Sequence, residues 1–238
     1  MPTRNTQSKY TSPLFVDSSN LEVIETYLKM GIISGVTTNP TIMFKEKFAT
    51  NEKEVKQHSL KLAKLIDPLP LSLEVTTNDP KEMISQAKEL ASWAKNVVVK
   101  IPVHGPAGEL YYLEVVNKLS SQGIEINCTA IMSPIQGLMA SLAGAKYVSL
   151  FGGRIANIGH DASNEYRKLR DLLDLHAPGA KIIAASTREA YNVTEWLLAG
   201  CDIVTVVPDL MKIFLVHPYT KDTVQMFLDD GAKLKETK

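Results

Sequence analysis

Cysteine is scarce: two in 238 residues, Cys128 and Cys201, with no C-x-x-C pair and no Cys/His spacing of the kind that holds a metal. That excludes a disulfide framework and a cysteine-built metal centre, and both thiols, set in apolar strand-like stretches, read as reduced core residues. Net charge is also missing. Twenty-six basic residues balance twenty-six acidic ones, so no broad field draws in nucleic acid or an anionic membrane surface. Nowhere do about eighteen apolar residues follow one another, and the polar opening MPTRNTQSKYTSP holds no apolar run of signal-peptide length. The expectation is a soluble cytoplasmic protein whose partners are small molecules. No Pro/Gly/Ser-rich linker, low-complexity tract or close repeat divides the chain. It reads as one domain, residues 1–238, with a polar extension at 1–12 and a final helix at 217–238.

What is present is a rhythm: a short β-rich run, a turn, then a longer stretch with helical spacing, repeated from end to end. The spacing predicts strands at Leu14 to Asp17, Gly35 to Thr38, Leu71 to Val75, Val97 to Ile101, Ile124 to Ala130, Tyr147 to Phe151, Lys181 to Ser186 and Ile203 to Val207. Between them lie amphipathic segments such as LEVIETYLKMG, PKEMISQAKELASWAK and REAYNVTEWLLAG, several closed by a glycine suited to a helix C-cap. Alternating strands and helices require parallel pairing with right-handed crossovers. Eight such units in this length point to a closed (β/α)8 TIM barrel with an additional C-terminal helix.

In such barrels, active sites gather at the C-terminal strand ends, and here those ends are polar. The first strand ends in Asp17 and the second in Thr37-Thr38-Asn39; the third carries Glu74, the fourth Lys100, the fifth Asn127 and Thr129. Ser149 and then Arg154 follow on the sixth, Ser186 and Arg188 on the seventh. Glu125, Asn127 and Thr129 fall at spacing two and are expected to share one strand face. Lys100 stands out because it closes the run VVVKIP, which reads as a fully buried strand. A buried ammonium either finds a partner or gives up its proton, so this lysine snorkels to a wet rim, is salt-bridged, or is reactive. Blander readings exist for individual residues: Asp17 and Ser186 as helix N-caps, Glu74 and Lys100 as a structural ion pair, the arginines as surface charges. His104, in the Gly/Pro-rich loop PVHGPAGEL, reads as a solvated or rim residue rather than a catalyst. Convergence of so many polar groups on one end of a barrel favours a site.

These residues also carry a family resemblance. DSSN, GVTTNPT at 35–41, SLEV at 72–75, VVKIP at 98–102, INCT at 126–129, SLFGGRI at 149–155 and AASTR at 184–188 together resemble the transaldolase family. The match runs in order over nearly the whole chain, in a length similar to the short branch that also includes fructose 6-phosphate aldolases. The resemblance implies a Schiff-base lysine, Lys100, and transfer of a dihydroxyacetone unit from a ketose phosphate, fructose 6-phosphate or sedoheptulose 7-phosphate, to an aldose phosphate. It implies no metal and no cofactor. By the same resemblance Asp17 is the proton-transfer group, Glu74 with Thr129 handles the water of dehydration and hydrolysis, and Thr38, Asn39, Asn127, Ser149 and Phe151 line the substrate. Arg154, Arg188 and Ser186 fall where the phosphate binds, and the short-branch likeness implies a homo-oligomer.

The chemistry can be followed on its own terms. An ordinary lysine is almost wholly protonated at neutral pH, and burial among valines is expected to supply the neutral amine that attacks a carbonyl. The resulting iminium draws electrons from the adjacent C–C bond. Three functions therefore stay open: a transferase, a lyase releasing free dihydroxyacetone, and a barrel that binds sugar phosphates without turnover. A transaldolase for a specialised sugar phosphate is a variant of the first. Within the family the short-branch aldolases typically carry glutamine where this chain has Glu74 and tyrosine where it has Phe151, which favours the transferase.

Overall fold

The computed structural model describes residues 11–48 and 51–236; most of the polar extension, residues 1–10, lies outside the described residues. Eight parallel strands close into a barrel in sequence order, each paired to the next and the last to the first. They are β1 (Leu14–Asp17), β2 (Gly35–Thr37), β3 (Leu71–Glu74), β4 (Val97–Pro102), β5 (Ile126–Ile131), β6 (Tyr147–Phe151), β7 (Lys181–Ala185) and β8 (Ile203–Val206). Eleven helices occur among the described residues: α1 (Leu21–Lys29), α2 (Pro40–Lys45), α3 (Glu52–Ile66), α4 (Pro80–Trp93), α5 (Tyr111–Ser120), α6 (Pro134–Leu142), α7 (Gly152–Asn157), α8 (Ala162–His176), α9 (Ala190–Leu198), α10 (Pro208–Leu215) and α11 (Pro218–Glu236). The architecture is the expected (β/α)8 TIM barrel plus a C-terminal helix.

Local chemistry explains the boundaries. Asn20, Asn39, Asp79, Ser133 and Asp161 cap helices by accepting backbone N–H groups, and prolines 40, 80 and 134 occupy first helical positions where no N–H is needed. Gly31 and Gly123, with φ of 70° and 82°, end α1 and α5 in the left-handed region that a side chain disfavours. Neither Asp17 nor Ser186 is a cap, since Asn20 precedes α1 and Glu189 precedes α9.

Strand alternation divides the apolar residues into two sets. Val97, Val99 and Ile101 of β4 belong to the large core shared with the helices, whereas Val98 joins Phe15, Tyr147, Ile183 and Ile203 in a second cluster drawn from five strands. This second cluster plugs the lower barrel. Gly35 makes room for it: a Cβ there would stand 2.5 Å from Cζ of Phe15. Above the plug the strand positions turn polar, with Asp17 paired to Thr37, Thr37 to Ser72, Glu74 to Lys100 and Lys100 to Asn127.

One expectation about β5 is corrected. Glu125 precedes the strand and does not share the mouth with Asn127 and Thr129; it is half-exposed and pairs with Lys146. The period-two argument was extended across the strand's beginning, since β5 starts only at Ile126 and Glu125 still belongs to the connection after α5. Towards its other end β5 pairs irregularly with β6 between Cys128 and Ile131, and Ala130 there has φ of 57°, a bulge of the kind found beside active sites.

Candidate active site

Lys100 is 6% exposed and salt-bridged. Its Nζ lies 3.0 Å from Glu74 Oε2 and donates to the Thr38 carbonyl oxygen at 3.0 Å. The valines flanking it in sequence do not surround its nitrogen: Val99 faces the helices and Val98 lies in the plug. The ammonium is met by an anion and a carbonyl dipole, which compensate its removal from water.

Asp17, at the end of β1, accepts from Thr37 Oγ1 at 2.7 Å, and Thr37 and Thr205 hydroxyls are 2.6 Å apart. A hydroxyl has one proton to give. With Thr37 donating to Asp17, Thr205 donates to Thr37, so a two-hydroxyl chain fixes the carboxylate. Burial pushes the Asp17 carboxyl above its ordinary range; Lys100 and the Thr37 hydrogen bond oppose that, while Glu46 and Glu74 add to it.

A second chain crosses the barrel floor. Ser149 Oγ donates to Asn127 Oδ1 at 2.7 Å, and Asn127 Nδ2 donates to Ser72 Oγ at 3.2 Å. All three are buried. The Thr129 hydroxyl is buried and has no hydrogen-bond partner among the described residues. Thr38 serves through its carbonyl, because its hydroxyl is tied to the Ser72 carbonyl at 3.0 Å. Asn39 Oδ1 is occupied in capping α2 through Ile42 N.

On the opposite rim, Phe151 ends β6 and the Arg154 guanidinium lies 5.4 Å from its ring centroid, a cation–π distance. Arg154 and Arg188 are both exposed. Among the described residues, the arginine–carboxylate pairs all belong to Arg170, with Asp174 and Asp202. Ser186 is half-buried in the left-handed region, φ 61°. Its carbonyl and the Arg188 stem pack where a Cβ on Gly153 would be, which brings the Arg188 stem beside the residue next to Arg154. His104 is exposed on its loop, with Nδ1 2.8 Å from the Gly105 carbonyl oxygen. Burial pushes the Cys128 thiol up to about 12 and raises that of Cys201 as well, as befits inert core thiols.

Sequence reasoning missed Ser72, Thr205, Glu46 and His58. Ser72 stands two residues before Glu74 on β3, a spacing that puts both on one strand face and could have found it; Thr205 lies on β8, where no site residue was expected. Glu46 and His58 carry no comparable mark.

A parallel barrel with a buried lysine–carboxylate pair at its mouth defines a class of enzyme-like sites, and comparison places the chain within it. Residues 14–238 match the family described as Transaldolase/Fructose-6-phosphate aldolase. Similar proteins named probable transaldolase occur in Heliobacterium modesticaldum (40% identical, over 93% of this chain and 98% of that one), Dehalococcoides mccartyi (36%; 94% and 99%) and Nitrosopumilus maritimus (39%; 93% and 96%). The chain belongs to the transaldolase/fructose-6-phosphate aldolase family.

Proposed function

We propose that the chain is a transaldolase moving a dihydroxyacetone unit from fructose 6-phosphate or sedoheptulose 7-phosphate to an aldose phosphate through a Schiff base on Lys100. The observation that carries this reading is the Lys100–Glu74 contact at 3.0 Å inside the barrel mouth. A paired lysine becomes a nucleophile once its proton is passed on, and Glu74 is within transfer distance. The free amine adds to the ketose carbonyl, and loss of water from the carbinolamine leaves an iminium. Asp17 removes the proton of the hydroxyl carried by the far carbon of the scissile bond, which becomes the carbonyl of the departing aldose. The C–C bond breaks, its electrons neutralise the iminium to an enamine, and an aldose phosphate departs. The enamine carbon then attacks the acceptor aldehyde, Asp17 returns the proton, and water releases the new ketose phosphate. Glu74 and the unpartnered Thr129 hydroxyl are suited to hold the water lost and later consumed.

Asn127, Ser149, Asn39 and Thr38 edge the space for the dihydroxyacetone hydroxyls, and Arg154 with Arg188 and Ser186 receives the phosphate, for which planar guanidinium groups provide paired donors. Neither metal nor cofactor is required. We read residues 1–238 as one barrel unit in the cytoplasm, where such sugar phosphates occur. Assembly into a homo-oligomer is supported by α11, whose Tyr219, Val224, Phe227 and Leu228 are all exposed. The test is borohydride reduction with fructose 6-phosphate present: a permanent mass gain located on Lys100 is expected, and an unchanged mass would refute both the transferase and the lyase.

A further inference from the structure

The loop that follows Asp17 is held by two side chains that the proposed chemistry does not use. Glu46, directly after α2, accepts from Ser18 Oγ at 2.8 Å, from Ser19 N at 2.8 Å and from Ser19 Oγ. On α3, His58 donates from Nε2 to the Ser19 carbonyl oxygen at 2.6 Å, and its ring stacks on Phe48 with centroids 4.9 Å apart. Ser18 and Ser19 are fully buried, His58 is buried and Glu46 half-buried. The loop thus has little freedom, and the two residues after Asp17 are fixed by the Glu46 carboxylate.

We infer that Glu46 is a positioning residue for Asp17, clamping the Ser18–Ser19 loop that directly follows it. This rests on the reading of Asp17 as the proton-transfer group. A carboxylate brought near another raises that neighbour's proton affinity, a smaller effect on Asp17 than its burial and one that accompanies the clamp. The groups that bear on Asp17 are Lys100 from β4, the Thr37 hydroxyl from β2, Glu74 from β3 and Glu46 beyond α2, with Thr205 of β8 behind Thr37. Lys100 and Thr37 stabilise the anion; Glu46 and Glu74 oppose them. A hydroxyl proton is removed more readily by a base with greater proton affinity, and Glu46 acts in that direction.

The test is Glu46→Gln, with Glu46→Asp and Asp17→Asn beside it, assayed for transfer from fructose 6-phosphate to erythrose 4-phosphate and for borohydride trapping on Lys100. Glu46→Gln is expected to lower kcat about ten- to hundredfold, to change KM less than about threefold, and to leave trapping intact, because Schiff-base formation does not use Asp17. Its acidic limb of kcat should move to lower pH, since a negative neighbour has been removed. Glu46→Asp keeps the charge on a shorter arm, so kcat falls while the limb stays in place. Should Glu46→Gln fail to fold, Ser19→Ala, which removes only the hydroxyl contact, should show a smaller loss of kcat with trapping preserved. The inference is overturned by a kcat within about twofold of wild type, or by loss of trapping together with turnover, which marks general collapse of the site. Wild-type kcat in Asp17→Asn would instead remove the reading of Asp17 and this inference with it.

Discussion

Gly153 and Ser186 touch backbone to backbone: a Cβ on Gly153 would stand 1.8 Å from the Ser186 carbonyl oxygen and 2.8 Å from Cγ of Arg188. The start of α7 and the end of β7 approach closely only because residue 153 has no side chain. The clash falls on main chain, so rotation of a side chain cannot relieve it. Gly153→Ala is expected to lower stability by about 1–3 kcal/mol and, in the fraction that folds, to raise KM for phosphorylated substrates as Arg188 is displaced. Thermal unfolding and steady-state kinetics together check this; an alanine variant with wild-type Tm and KM would remove the close approach as a constraint.

The arginines allow a sharper comparison. Replacing Arg154 or Arg188 by Ala should cost about 1.5–3 kcal/mol, roughly ten- to hundredfold in kcat/KM, for a phosphorylated donor, and little for unphosphorylated fructose. Equal losses on both substrates would assign the arginines a structural role. For Arg154 part of the loss comes from its contact with Phe151, and Arg154→Lys should recover charge but not the planar fork.

Asp17, the proposed proton-transfer group, also bears on stability. Its carboxyl is pushed above the unfolded value of 3.8, chiefly by burial. The folded protein therefore holds that proton more tightly than the unfolded chain does. Its contribution is least unfavourable below the unfolded value, and stability is lost as pH rises from there through the folded value. Asn cannot ionise yet can still accept from Thr37, so Asp17→Asn should unfold at a higher temperature than wild type at neutral pH. The gap should narrow as pH falls towards the unfolded value. Thermal melts across that range decide it: a variant less stable than wild type at neutral pH would show that the anion's partners outweigh its burial.

The barrel was legible because its strands are short, mostly apolar runs, several of them ending polar, set between turn residues and helical stretches. The short helices α2, α7 and α10 left less trace, since six to eight residues barely complete an amphipathic repeat. At the site, Lys100, Glu74 and Asp17 announced themselves as charges in or beside apolar runs. Thr205 did not, because threonine within IVTV is also an ordinary strand former. Glu46 and His58 reach partners 27 and 39 residues away, and nothing in their own segments says so. The lysine's partners were likewise a tertiary fact: sequence left it snorkelling, paired or reactive, and the register of Glu74 beside Lys100 decided for the pair.

The C-terminal helix offers an assembly test. Helix α11 runs nineteen residues with Tyr219, Val224, Met226, Phe227, Leu228 and Leu234 exposed, a length and apolar content that a lone protomer leaves in water. Light scattering on the full chain and on one ending at Pro218 should show a larger assembly for the full chain. Identical masses would remove the helix from any interface.

The last prediction concerns the fate of the enamine, and it turns on Phe151. In the proposed mechanism the lysine-bound enamine must survive after C–C cleavage until an aldose phosphate arrives; protonation of its carbon would end in free dihydroxyacetone. Phe151 closes β6 with its ring beneath the Arg154 guanidinium, so position 151 presents an aromatic face with no hydroxyl of its own. A phenolic group at the same place would offer a proton or order a water beside the intermediate. Wild-type chain given fructose 6-phosphate alone should therefore release little dihydroxyacetone, and erythrose 4-phosphate should raise turnover sharply with formation of a seven-carbon ketose phosphate. Phe151→Tyr should shift the balance towards free dihydroxyacetone, while Lys100→Ala abolishes both products. Product analysis with and without acceptor separates the cases. Brisk acceptor-independent release by the wild type would make the chain a lyase, and transfer confined to another aldose phosphate would keep the mechanism and change the substrate.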